Sequence, residues 1–110
     1  MIQVDLYYNK NILYRFKLSG HAGYADHGQD IVCSAVSILV INTLNALEAL
    51  TNEECALNEM DSDSGVIDCT FSKRKQGMPN KEATLLIEAM LMGLRSVKQM
   101  YGEYIVIKNK

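Results

Sequence analysis

Proline occurs once in this 110-residue chain, cysteine three times and histidine twice, and the formal net charge is −2. Each scarcity excludes something. A charge so near neutral gives no polycationic character to drive nonspecific binding to nucleic acid, so no direct nucleic-acid contact is expected. Three cysteines, an odd number without regular spacing, argue against a disulfide framework and for a reducing compartment, which makes the cytoplasm the expected location. The N-terminus MIQVDLYYNK alternates and carries charge where a secretory leader would have a basic start and an apolar run. The most apolar window, 31–50, is interrupted by Ser34, Ser37, Asn42, Thr43, Asn45 and Glu48. Those groups are costly in lipid and ordinary in a soluble helix, so no membrane span is expected. No repeat, linker or low-complexity segment breaks the chain.

With 48% hydrophobic residues the chain can bury one ordinary core and is too short for two, so residues 1–110 are read as one domain. Residues 2–8 and 12–18 are runs of β-branched and aromatic residues broken at Asn9, Lys10 and Asn11, the pattern of a β-hairpin. After a polar, glycine-containing loop, Asp30 is a plausible N-cap for a long helix. In it Val32, Val36, Leu39, Val40, Leu44 and Leu47 recur at helical spacing to about Leu50. A second strand pair is expected at 56–61 and 65–72 around a turn at 61–65. Residues 72–81 read as a loop, and Pro79 suits the first turn of a second helix running to about Tyr101. Gly102 ends that helix before a last strand at 104–108. The order ββαββαβ implies an α+β fold, a mixed sheet packed with two helices.

Chemistry concentrates in GHAGYADHGQDIVCSAVS, residues 20–37. With Asp30 as cap, Cys33 is the third helical residue. There the unpaired backbone N–H groups and the partial positive charge of the helix start favour a thiolate. The same amides could hold the oxyanion of a tetrahedral intermediate. Imidazole is the side chain best suited to take the thiol proton near neutral pH. His21 sits just after the second strand, whose end can face the helix start across the loop, while His27 lies inside the loop. Residue chemistry alone leaves three readings open. Cys33 is a nucleophile paired with a histidine, or one more small packed residue beside solvated histidines, or a zinc ligand with His21 and His27. Their six-residue intervals match no CxxC or HxxxH clip, and neither metal nor cofactor is expected.

The stretch also resembles the signature of the ribosomal-processing cysteine protease family, Prp. That signature is a Gly-His pair, a short loop, then Gly-x-Asp-Ile-Val-Cys with small residues after it. Gly20, His21, Gly28, Asp30, Ile31, Val32, Cys33 and Ser34 all match, and the family's length and element order cover nearly the whole chain. The resemblance implies a cytoplasmic, homodimeric endopeptidase that removes the N-terminal extension of the large-subunit ribosomal protein bacterial L-twenty-seven, cutting after an aromatic residue. It maps the catalytic dyad onto Cys33 as nucleophile and His21 as base, with Asp30 as helix cap or histidine orienter. The loop AGYADHGQ, with Gly23 and Gly28 as hinges and Tyr24 and His27 inside it, becomes the substrate loop. The reading from another class is a non-catalytic module that binds a ribosomal protein or assembly intermediate.

Elsewhere, Ser34 and Ser37 lack a second base and fit close packing. Cys55 and Cys69 read as a loop thiol and a strand residue, and the six methionines as core and interface filler. Lys73, Arg74, Lys75 and Lys81 make 72–81 basic, most simply a solvated loop. Glu53, Glu54, Glu59, Asp61 and Asp63 are better partners for a basic ribosomal protein.

Overall fold

The computed structural model describes residues 1–20, 27–61 and 65–110, with residues 27–29 described by backbone alone. The two N-terminal runs form strands β1 (Ile2–Asn9) and β2 (Ile12–Ser19). Lys10 and Asn11 between them both take positive φ, 50° and 68°. A two-residue turn of that kind has the twist an antiparallel hairpin needs. Strand alternation then puts Val4, Leu6, Phe16 and Leu18 on one buried face and leaves Arg15 and Lys17 on the other.

Strands β3 (Ala56–Asp61) and β4 (Val66–Thr70) make the second hairpin, and β5 (Ile105–Asn109) pairs in parallel with β1. The sheet order is β3-β4-β2-β1-β5, with the other three pairings antiparallel, so the sheet is mixed. Helix α1 (His27–Leu50) contributes Val32, Val36, Val40 and Leu47 to the core, each at most 1% exposed. By length and composition alone the segment Asp30–Leu50 could cross a bilayer. In this fold its buried stripe joins the same cluster as Val4, Phe16 and Ile105, as the core helix of an α+β domain does.

Three features differ from the expectations. First, the basic stretch opens with a short helix, α2 (Ser72–Lys75), rather than running as a solvated loop, so the order is ββαββααβ. Arg74, 3% exposed, donates Nε to the Leu13 carbonyl (2.6 Å) and Nη1 to Thr84 Oγ1 (2.8 Å). A four-residue turn has no apolar period to read, and its one buried side chain is an arginine. Second, the helix expected to start at Pro79 is α3 (Lys81–Met100), capped by Asn80, whose side chain accepts from the Ala83 N–H at 2.7 Å. Pro79 therefore precedes the cap instead of occupying the first turn. Asn80→Ala is expected to cost about 1 kcal/mol, read as a lower melting temperature. Third, Cys55 and Cys69 are joined in a disulfide with a Cα–Cα distance of 6.2 Å. Their irregular sequence spacing gave no hint of it, because it is the β3–β4 pairing, with Leu57 opposite Cys69, that brings the two together.

On the face of the sheet away from the core, Arg15 grips Asp68 with Nε to Oδ1 at 2.9 Å and Nη2 to Oδ2 at 2.7 Å, and its guanidinium lies 4.5 Å from the Tyr7 ring centroid. The Arg15 hydrogen bond, helped by Asn58 and opposed by burial, holds the Asp68 carboxyl below its usual range. A depressed folded pKa gives stability that is present above the unfolded value of about 3.9 and lost as pH falls through the lower folded one. Arg15 is a third exposed, which screens the pair. Arg15→Met is expected to cost about 1 to 2 kcal/mol at pH 7 and to flatten this acid limb, measured by denaturation at pH 7 and pH 3.

Candidate active site

Cys33 lies on α1, half-buried, with its side chain packed at the margin of the core. Its place in the helix differs from the expectation. Because α1 begins at His27, Cys33 is the seventh helical residue, and Asp30 lies exposed within the first turn instead of capping it. An acidic residue there still suits the positive end of the helix. With six helical residues before it, the Cys33 amide falls inside the helical ladder. One first turn therefore does not supply both nucleophile and oxyanion hole, since the terminal field fades within that turn. The local reason is that His27, Gly28 and Gln29 continue the helix backward, where the polar composition of the stretch suggested a loop.

Gly20 ends β2 with φ +94°, and a Cβ at that position would collide with the Met1 carbonyl oxygen. Only glycine meets both demands, so the backbone that delivers the chain to residue 21 is dictated by the absence of a side chain. His21, Gly23 and Tyr24 lie outside the described residues. Of His27 and Gly28 only the helical backbone is described. The pairing of His21 with Cys33, the histidine role of Asp30, and the zinc reading through His21 and His27 therefore all fall outside what the structure describes. Among the described residues no group of three metal-ligating side chains converges.

What the structure adds is a wall. A cavity of about 390 Å³ lies between α1 and the turn end of the β3–β4 hairpin. Cys33, Ser34, Ser37, Ile38 and Ile41 line its helix side, and Met60, Asp61, Gly65, Val66 and Ile67 its hairpin side. A larger cavity of about 520 Å³ adjoins it farther along α1, sharing Ile41 and Met60. The thiol therefore opens onto a groove with an apolar lining, wide enough for a side chain as large as an aromatic ring. The helix side was visible in the sequence, because Cys33, Ser37 and Ile41 are spaced by four residues. The hairpin side was not, since nothing in 56–67 signals which helix it faces.

Two of the acidic residues set aside for a basic partner fare differently. Glu53 is 6% exposed, and neither carboxylate oxygen has a hydrogen-bond partner among the described residues. Burial pushes its carboxyl up, against the pull of Arg74 and Lys73, so Glu53 offers no surface charge to a partner. Glu54 is exposed, as are Glu59 and Asp61, while Asp63 lies outside the described residues.

The family model for cysteine protease Prp matches residues 1–106. The ribosomal processing cysteine protease Prp of Bacillus subtilis (strain 168) is 34% identical over 96 residues, covering 87% of this chain and 84% of that protein. Among solved structures, the essential ribosomal processing protease Prp from Staphylococcus aureus in complex with a substrate peptide superposes with a TM-score of 0.87 at 28% identity, covering 100% of both chains. The same protease with a covalently linked product peptide gives 0.86 at 30% identity, again over 100% of both chains.

Proposed function

The chain belongs to the cysteine protease Prp family, and we propose that it is a cysteine endopeptidase that removes the N-terminal extension of bacterial L-twenty-seven, cutting after an aromatic residue. The observation that carries this reading is the position of Cys33, whose side chain lines an apolar cavity beside α1 instead of being sealed in the core. Ile38, Ile41, Val66 and Ile67 give that cavity the lining an aromatic side chain seeks.

In the proposed reaction His21 takes the Cys33 proton and the thiolate attacks the scissile carbonyl carbon. The tetrahedral intermediate collapses to a thioester as the imidazolium gives its proton to the leaving amine. Water, deprotonated in turn by His21, then attacks the thioester and releases the new carboxylate and the thiol. A relative that holds a covalently linked product peptide supports a covalent route. Asp30, in the first turn of α1, and Gly28 are supporting residues, and Gly23 and Tyr24 belong to the proposed substrate loop, whereas His27 stands at the start of α1 instead of inside that loop. We assign the chain to a homodimer in the cytoplasm, without direct nucleic-acid contact. The Cys55–Cys69 bond removes the cysteine-based argument for a reducing compartment, so the location rests on a ribosomal substrate.

Mass spectrometry of a peptide spanning the N-terminal extension, incubated with the wild type, tests the reading. A single cut on the carboxyl side of an aromatic residue is the expected product. A peptide that binds and stays whole would instead make the chain a recognition module, a reading favoured only by the placement of Cys33 beyond the first turn of α1.

A further inference from the structure

The cavity beside Cys33 does not end where an aromatic side chain would. Through Ile41 and Met60 it runs into the larger cavity between the C-terminal half of α1 and β3. The chemistry changes along the way. The floor stays apolar, with Leu44 and Leu57 added, while the rim gains Glu48 and Glu54. Both are exposed. No lysine, arginine or histidine lines either cavity among the described residues, so none of these neutralises that rim from within the groove.

From this continuity and this charge we propose that the groove is one polypeptide-binding channel, whose far end selects a lysine or arginine of the substrate about five to seven residues from the scissile bond. The proposal rests on the reading of Cys33 as the cutting centre, which fixes one end of the channel. The spacing follows from helix and strand geometry. From Cys33 to Leu44 or Glu48 the helix advances about 16 to 22 Å, at about 1.5 Å per residue. An extended peptide covers that span in about five to seven residues, at about 3.3 Å each. The side-chain class follows from the lining. An apolar floor beneath a carboxylate rim suits a long methylene stem that ends in a cation, whereas a short polar or an acidic side chain would satisfy only one of the two or neither.

β3 leaves Leu57 and Met60 52% and 56% exposed on the groove side. A second copy of this chain would also cover that apolar surface. It would bring no excess positive charge to match the rim, since its own net charge is −2.

The test uses Cys33→Ala protein, which binds without cutting, and peptides with one phenylalanine and a single lysine placed three, six or nine residues from it on either side. Each is paired with a norleucine version that keeps the stem and removes the charge. By fluorescence anisotropy at low salt, lysine at six residues on one side is expected to bind about three- to tenfold tighter than norleucine, and lysine at three to show no gain. The gain should disappear in E48Q/E54Q and shrink at about 0.5 M salt. A lysine gain that survives in E48Q/E54Q, or that is equal at every position, overturns the proposal. So does a dimer that Leu57→Asp converts to monomer with the lysine gain unchanged, because the groove would then belong to the second copy. Failure of the wild type to cut the phenylalanine peptides would instead overturn the protease reading, with the lysine-to-norleucine ratio still measurable.

Discussion

Replacing Cys33 with alanine is expected to lower kcat/KM for the extension peptide by at least about 10⁴-fold while the melting temperature stays close to that of the wild type. The two halves of this result have separate causes. Among the described residues, the only other nucleophilic side chains of α1 that line the same cavity are Ser34 and Ser37. Neither can stand in, since a hydroxyl at its ordinary pKa is a poor nucleophile without a base placed for it. Stability changes little because Cys33 is half-buried at a groove wall. Removing its sulfur enlarges an open cavity and leaves no sealed void, so the cost should be about 1 kcal/mol or less. Cys33→Ser should be nearly as inactive despite keeping the shape. His21→Ala should lose less, about 10² to 10⁴-fold, because a thiol retains some thiolate near neutral pH without its base. Full activity in Cys33→Ala would overturn the nucleophile assignment. Loss in Cys33→Ala with no loss in His21→Ala would move the base role to another group, with His27, at the start of α1, the next imidazole to replace.

Legibility in the sequence followed how local the determining physics was. The first hairpin could be placed to within a residue, because β-branched and aromatic runs and the break at Asn9 to Asn11 are both local signals. The two long helices announced themselves by a buried period, Val32, Val36 and Val40 in one and Ala83, Ile87, Met90 and Leu94 in the other. Their starts were harder. Pro79 and Asp30 are each acceptable at a helix N-terminus, and in both cases a neighbour prevailed: Asn80 supplies the cap in one, and His27–Gln29 extends the helix in the other. Moving the start of α1 by one turn changed the chemical argument more than the fold, because a terminal field acts over a single turn. Pairings across the sheet left no local trace. The Cys55–Cys69 bond, the Arg15–Asp68 pair and the hairpin wall of the groove all depend on which strand lies next to which. Arg74 and Glu53 misled for a related reason. Composition assigns charged residues to the surface, and tertiary packing buried these two together, near enough that each moderates the effect of burial on the other.

Gly20 and Gly77 allow a sharper experiment on how the fold delivers the chain to residue 21. Both have positive φ, 94° and 82°, so alanine at either position is held in backbone that L residues rarely adopt. They differ in their surroundings. A Cβ at Gly77 meets nothing within 4 Å, whereas one at Gly20 runs into the Met1 carbonyl oxygen and lies 3.4 Å from the Gln3 nitrogen. Gly77→Ala should therefore cost only backbone strain, about 1 to 2 kcal/mol, with activity per folded molecule unchanged. Gly20→Ala should cost at least about twice that, with a melting temperature lower by about 10 °C or more, since Met1 to Gln3 must move away from the strand end. Ile2 donates its N–H to Tyr104 O at 2.8 Å and pairs with Ile105, so that movement also disturbs the β1–β5 edge. The strained residue itself immediately precedes His21, so cleavage should fall by more than the loss of folded protein explains, measured well below the new melting temperature. Equal melting temperatures for the two variants would show that Met1 yields freely to a side chain at residue 20. Activity that tracks only the folded fraction in Gly20→Ala would show that the position of residue 21 is set by the loop and helix that follow it, and not by the strand that leads into it.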